Sequence, residues 1–97
     1  MQKLVTFGDL QLLTRYALRF APEQRASKCE YLLDRVDDAQ SFVTITGRVH
    51  PLYGDGSISA LALRLGGSKL TADLNIDVLQ AFATVLSEVT DFVCADI

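Results

Sequence analysis

The chain has no tryptophan, one histidine, one methionine, two prolines and two cysteines among its 97 residues. Each shortage excludes a kind of chemistry. Cys29 and Cys94 are far apart and neither has a Cys-x-x-Cys partner, so no zinc or redox motif is present and both read as small core residues. A metal site would have to be assembled from His50 and carboxylates such as Asp55, so no metal ligand and no cofactor is nominated. A Ser-His-Asp arrangement would need His50 with Ser57 or Ser59, a distant acid and an oxyanion motif that the chain lacks, and pairing Cys29 with His50 does no better. Asp37 and Asp38 are adjacent on a helix, where neighbours point apart, so they form no acid dyad. The expectation is therefore a protein that is not an enzyme.

Two further absences set its surroundings and its partners. The opening residues, Met1 to Gly8, lack the apolar run and cleavage site of a signal peptide, and no segment reaches the length of a membrane span. A cytoplasmic, membrane-free setting is expected. Positive charge is scarce in the second half: residues 51–97 carry only Arg64 and Lys69 against six acids, whereas residues 1–50 carry seven cations against six acids. Phosphate binding rests on cations, so this distribution opposes nucleic-acid affinity unless the first half supplies them. Arg15, Arg19, Arg25, Lys28 and Arg35 are the candidates there, interleaved with Glu23, Glu30, Asp34, Asp37 and Asp38, and a solvated mixed-charge surface is the other reading.

What is plentiful is apolar side chain, 49% of the residues. That is high for a small soluble monomer and makes a homodimer a reasonable expectation. Residues 1–97 read as one all-α domain of four to five helices, without repeat, linker or low-complexity run. Asp9 is placed as the cap of a first helix bearing Leu10, Leu13, Tyr16, Ala17 and Phe20, ending near Ala21. Pro22 would open the second, with Ala26, Cys29, Leu32, Leu33, Val36 and Ala39 on its buried face. Ser41 to Thr46 is β-branched enough for a strand, but it continues the helical pattern unbroken, so the helix is carried to about Thr46. In the last helix Ile76, Leu79, Phe82, Ala83, Leu86, Val89, Phe92 and Val93 form a wide apolar stripe. Asp73, Asn75 or Asp77 can each cap its start, and continuity with a preceding helix stays open.

The segment from Ser57 to Leu74 carries the most specific pattern. Ser57 is an N-cap, Ile58, Leu61, Ala62 and Leu65 share a face, Gly66 stops the helix, and Ser68 caps the next one. This resembles the helix-turn-helix of nucleic-acid-binding proteins, departing from it where Ala72 and Asn75 stand at positions usually apolar. The resemblance implies a second helix presented to DNA or RNA, with Arg64, Ser68, Lys69, Thr71, Asn75 and the nearby Arg48 as contacts. An ordinary helical corner accounts for the same residues.

The connection from Gly47 to Ser57 concentrates three glycines, a proline, His50 and Tyr53, and reads as an ordered loop. His50, Tyr53 and Asp55 are its candidate ligand-binding residues, and packing of the loop with Asp55 as a cap is the structural alternative. The run His50-Pro51-Leu52-Tyr53-Gly54-Asp55-Gly56-Ser57 resembles a set of short uncharacterised bacterial proteins with His-Pro-Leu-Trp-Gly-Asp-Gly-Ser at this place. That resemblance brings no activity with it. Two functions stand: a small regulatory module that binds DNA or RNA through a helix-turn-helix-like corner, or a non-catalytic helical domain that binds a protein partner.

Overall fold

The computed structural model describes residues 5–66 and 75–95. Among these the elements are α1 (Phe7–Ala17), a 3-10 turn (Pro22–Gln24), α2 (Arg25–Thr46), α3 (Ile58–Arg64) and α4 (Ile76–Cys94), confirming the all-α reading. The four helices bury one core. Leu12, Leu13, Tyr16 and Ala17 enter it from α1, Cys29, Leu32, Leu33 and Val36 from α2, Ile58, Leu61 and Ala62 from α3, and Val85 and Val89 from α4.

The first helix begins differently from the expectation. Thr6 is its cap, with its hydroxyl accepting the Asp9 amide at 3.1 Å, while the Asp9 carboxylate accepts the Thr6 amide at 2.9 Å. Asp9 is thus the fourth residue of a capping box, and two free amides of the first turn are satisfied reciprocally. The other carboxylate oxygen accepts the backbone amide of Ser59 at 3.1 Å and the Ser59 hydroxyl. One buried acid therefore fixes the start of α1 against the start of α3, where Ser57 caps the Ala60 amide at 3.1 Å.

Helix α1 stops at Ala17, a turn before the expected end, where the Arg19 and Phe20 amides donate to the carbonyls of Tyr16 and Ala17, three residues back, at 3.2 and 3.1 Å. Pro22 then opens a 3-10 turn, and α2 begins behind it at Arg25. The expected end of α2 at Thr46 is observed. The hydroxyls of Thr44 and Thr46 donate back to the carbonyls of Gln40 and Phe42 at 2.9 and 2.7 Å, which satisfies both hydroxyls within the helix. Gly47 then takes φ 72° and donates to the Val43 carbonyl at 2.8 Å, the left-handed stop that glycine accommodates best.

Arg25 is 4% exposed, with its guanidinium donating to the Phe20 carbonyl at 3.2 Å and to the Asp77 carboxylate at 3.0 Å. This pair clamps the start of α2 to the first turn of α4. Helix α4 starts afresh at Asn75, whose side-chain oxygen accepts the Val78 amide at 2.9 Å. Its core face is Val78, Ala81, Val85 and Val89. Of the expected stripe only Val89 is fully buried, while Ile76, Leu79 and Leu86 are exposed.

Candidate functional site

Three places come from the sequence or from the packing. At the α3–α4 corner, Ser57, Ile58, Leu61 and Ala62 sit as expected, and Gly66 takes φ 96° after the helix. Ser68, Lys69 and Thr71 lie outside the described residues, as does the rest of the expected reading helix up to Leu74. Asn75 spends its side-chain oxygen on capping α4. Arg64 reaches back to donate to the Pro51 carbonyl at 3.3 Å, and the Arg19 guanidinium donates to the Leu65 carbonyl. Arg48 is exposed, its amide held by the Thr46 hydroxyl at 3.1 Å. The arginines nominated for phosphate are thus partly committed to holding turns.

The 47–57 loop is ordered from within. His50 and Gly54 exchange backbone hydrogen bonds at 2.9 and 3.1 Å. The His50 Nδ1 atom accepts the amides of Leu52 at 3.0 Å and Tyr53 at 3.1 Å, so the ring proton belongs on Nε2. Its imidazole stacks on Tyr53 with centroids 4.5 Å apart and meets the Phe42 ring edge-on at 4.9 Å. The Asp55 carboxylate accepts the Ser57 amide at 2.9 Å, and that backbone bond, with the Ser57 hydroxyl behind it, holds its pKa below the ordinary carboxylate value. Gln40 fastens the loop to α2 by donating to the Gly56 carbonyl at 2.9 Å. His50 and Tyr53 do come together, but their polar atoms and that of Asp55 build the turn.

The third place lies between α2 and α4 and was not singled out from the sequence. Glu30, Asp34 and Asp37 from α2 and Glu88 and Asp91 from α4 line an open groove of about 400 Å³, together with Leu33, Phe92 and Ala95. The helical register brings these acids into line: residues 30, 34 and 37 recur once per turn along α2, and 88 and 91 do the same on α4. Glu88 has its pKa raised, first by burial and then by the charges of Glu30 and Asp91. Among the described residues no lining residue is a cation. Among the described residues, no three His, Cys, Asp or Glu side chains are gathered closely enough to hold a metal ion. The acids are therefore spread along the groove, an arrangement suited to an extended cationic partner. The α2 spacing was a signal available in the sequence; its facing of Glu88 and Asp91 is a product of packing.

Buried Cys29 sits beneath this region with its thiol pKa pushed up to about 12 by loss of solvent, then by Glu88. It is an inert core group, whereas Cys94 is exposed.

The chain belongs to the family described as domain of unknown function DUF7742, whose family model matches residues 3–89. No curated protein and no solved structure matches it. Among the described residues no helix is long and apolar enough to cross a membrane.

Proposed function

We propose that the domain is a non-catalytic protein-interaction module whose α2–α4 groove takes a basic, partly apolar segment of another protein. The observation that carries this reading is the groove itself, where Glu30, Asp34, Glu88 and Asp91 stand around Leu33 with no cation among the described lining residues. Burial first, and then repulsion from the neighbouring carboxylates of Glu30 and Asp91, disfavours the charge on Glu88. A lysine or arginine placed among them relieves the repulsion, while an apolar neighbour on the same segment covers the floor. A phosphate backbone would meet the same field as repulsion, and Arg25 is already enclosed by Phe20 and Asp77.

Fluorescence anisotropy tests this with a labelled fifteen-residue lysine-leucine amphipathic peptide, an acidic counterpart and a random DNA duplex, each at two salt concentrations. The basic peptide alone should bind, and combining Glu30→Gln with Glu88→Gln should weaken it about tenfold. Neutralising Glu23 and Asp38, which lie outside the groove, should leave binding unchanged. DNA binding that falls steeply with salt, or peptide binding indifferent to the groove substitutions, would overturn the proposal in favour of a nucleic-acid module or a non-specific acidic surface.

A further inference from the structure

Helix α4 has a second apolar face that the core does not use. Ile76 is 72% exposed, Leu79 48% and Leu86 41%, and exposed Ala83 lies between them with half-buried Phe82 alongside. From α1, Phe7 reaches this face 65% exposed, its ring edge-to-face with Phe82 at a centroid distance of 6.3 Å. Residues 78–87 include no charged side chain. At 3.6 residues per turn, Asp77, Glu88 and Asp91 fall on the flank of α4 away from this stripe, towards Arg25 and the groove.

We propose that this face is where a second copy of the chain docks, antiparallel helix α4 against helix α4. The chain carries a net charge of −3, so two copies approach most favourably along a surface without acids, and this stripe provides one. It is also self-complementary, as a two-fold interface requires. A two-fold axis passing between residues 82 and 83 sets Leu79 opposite Leu86 of the second copy and brings each Ala83 near the Ala83 of the other. The exposed parts of Phe7, Ile76, Leu79 and Leu86 amount to roughly 400 Å² of apolar surface per chain, within the range of about 300–600 Å² that the largest apolar patch of a monomer covers and that often marks a functional surface. A standard interface buries about 800 Å² per partner, a little over half of it apolar, so the stripe supplies most of the apolar part. This inference is independent of the groove reading: the stripe faces away from the groove, and a dimer formed this way leaves both grooves open.

Sedimentation velocity from 1 to 200 µM tests the proposal. The native chain should move towards twice its 10.6 kDa mass as concentration rises. Leu79→Glu and Leu86→Glu, both at exposed positions, should raise the dimer dissociation constant at least about thirtyfold while circular dichroism shows an intact helical fold. Leu52→Glu, at an exposed leucine in the 47–57 loop, should leave the dimer unchanged. In a Cys94→Ser background, Ala83→Cys should form a disulfide-linked dimer under mild oxidation, because the axis brings the two thiols together. A native chain that stays monomeric at 200 µM, or a dimer indifferent to both glutamates, would overturn the proposal. Peptide binding by the monomeric Leu79→Glu variant would still support the groove, so the two readings fail separately.

Discussion

Asp9 is the residue whose removal should reach furthest through the fold. It is 7% exposed, accepts the Thr6 amide at 2.9 Å through one oxygen, and accepts the Ser59 amide at 3.1 Å and the Ser59 hydroxyl through the other. In Asp9→Ala all three donors lose their partner, two of them in the first turns of helices that have no other acceptor to offer. Hydrogen bonds to a charged group contribute about 1.5–3 kcal/mol each. Water can replace part of the loss because these contacts are only part-buried, so a net cost of about 3 kcal/mol is expected. For a domain of this size that is a large share of a total stability of about 5–15 kcal/mol. The urea midpoint should fall by roughly 2 M and the melting temperature by about 12–20 °C. Asp9→Asn keeps one acceptor oxygen and turns an NH2 group against the other donors, and should lose about half as much. Ser59→Ala removes only the hydroxyl, at about 1 kcal/mol, and the double variant Asp9→Ala/Ser59→Ala should cost about 1 kcal/mol less than the two added together. Urea denaturation monitored by far-ultraviolet circular dichroism measures all four. An Asp9→Ala variant within 1 kcal/mol of the native chain, or an additive cycle, would refute the bridge between the two helix starts.

Two glycines separate conformational strain from crowding. Gly47 has φ 72° with open space around it, so Gly47→Ala should cost about 1 kcal/mol and Gly47→Asn less; Gly56 has φ 93° and its added Cβ would lie 2.7 Å from the Gln40 Cγ and 3.2 Å from its Cα, so Gly56→Ala should cost at least about twice as much, as thermal melts will show. At Glu88 the raised pKa means that the folded chain holds its proton to a higher pH than the unfolded value of 4.5, so stability falls as pH rises through the raised value. Glu88→Gln should therefore melt a little higher at pH 7, by a few tenths of a kcal/mol, and show no advantage at pH 4. At Asp55 the sign is opposite: the Ser57 amide contributes stability that is present above the ordinary carboxylate value of 3.8 and lost as pH falls through the lowered one, so Asp55→Ala should be destabilising at pH 7 and near neutral in effect at pH 2. With the Cys29 thiol at about 12 and fully buried, a disulfide reagent at pH 8 should titrate only Cys94 in the native chain and both thiols in denaturant.

Helix starts were readable wherever one capping residue stands just before an apolar run, as at Ser57, and less so where several compete. Around α1, Thr6 and Asp9 are both capping types, and only their reciprocal bonds show that Thr6 is the cap and Asp9 its partner. Asn75, Asp73 and Asp77 posed the same choice before α4, where Asn75 caps and Asp77 is taken by Arg25. The continuation of α2 through Thr46 was legible because no glycine or proline interrupts it before Gly47. In the loop, His50 and Tyr53 stood out by residue type, but type alone does not say that the Nδ1 lone pair is spent on two backbone amides. The acidic groove was half legible, since the Glu30, Asp34 and Asp37 spacing is local, whereas their meeting with Glu88 and Asp91 depends on contacts between distant segments.

The apolar stripe of α4 shows most clearly what periodicity contains and what it omits. Its width was evident, wider than one core face requires, but periodicity weights all apolar residues alike and cannot say which of them the core takes. The core takes Val78, Ala81, Val85 and Val89 on the side that packs against α1 and α2, with Phe92 and Val93 partly buried beside them. The longer Ile76, Leu79 and Leu86 are left on the far side, where their exposure forgoes about 1 kcal/mol or more each of the burial they could provide. A helix that leaves Ile76, Leu79 and Leu86 outside its own core has apolar surface for a second contact. The absence of charge from residues 78 to 87 gives that contact its direction, because a cationic partner would find no acid there, whereas a copy of the same stripe meets neither repulsion nor an unpaired charge.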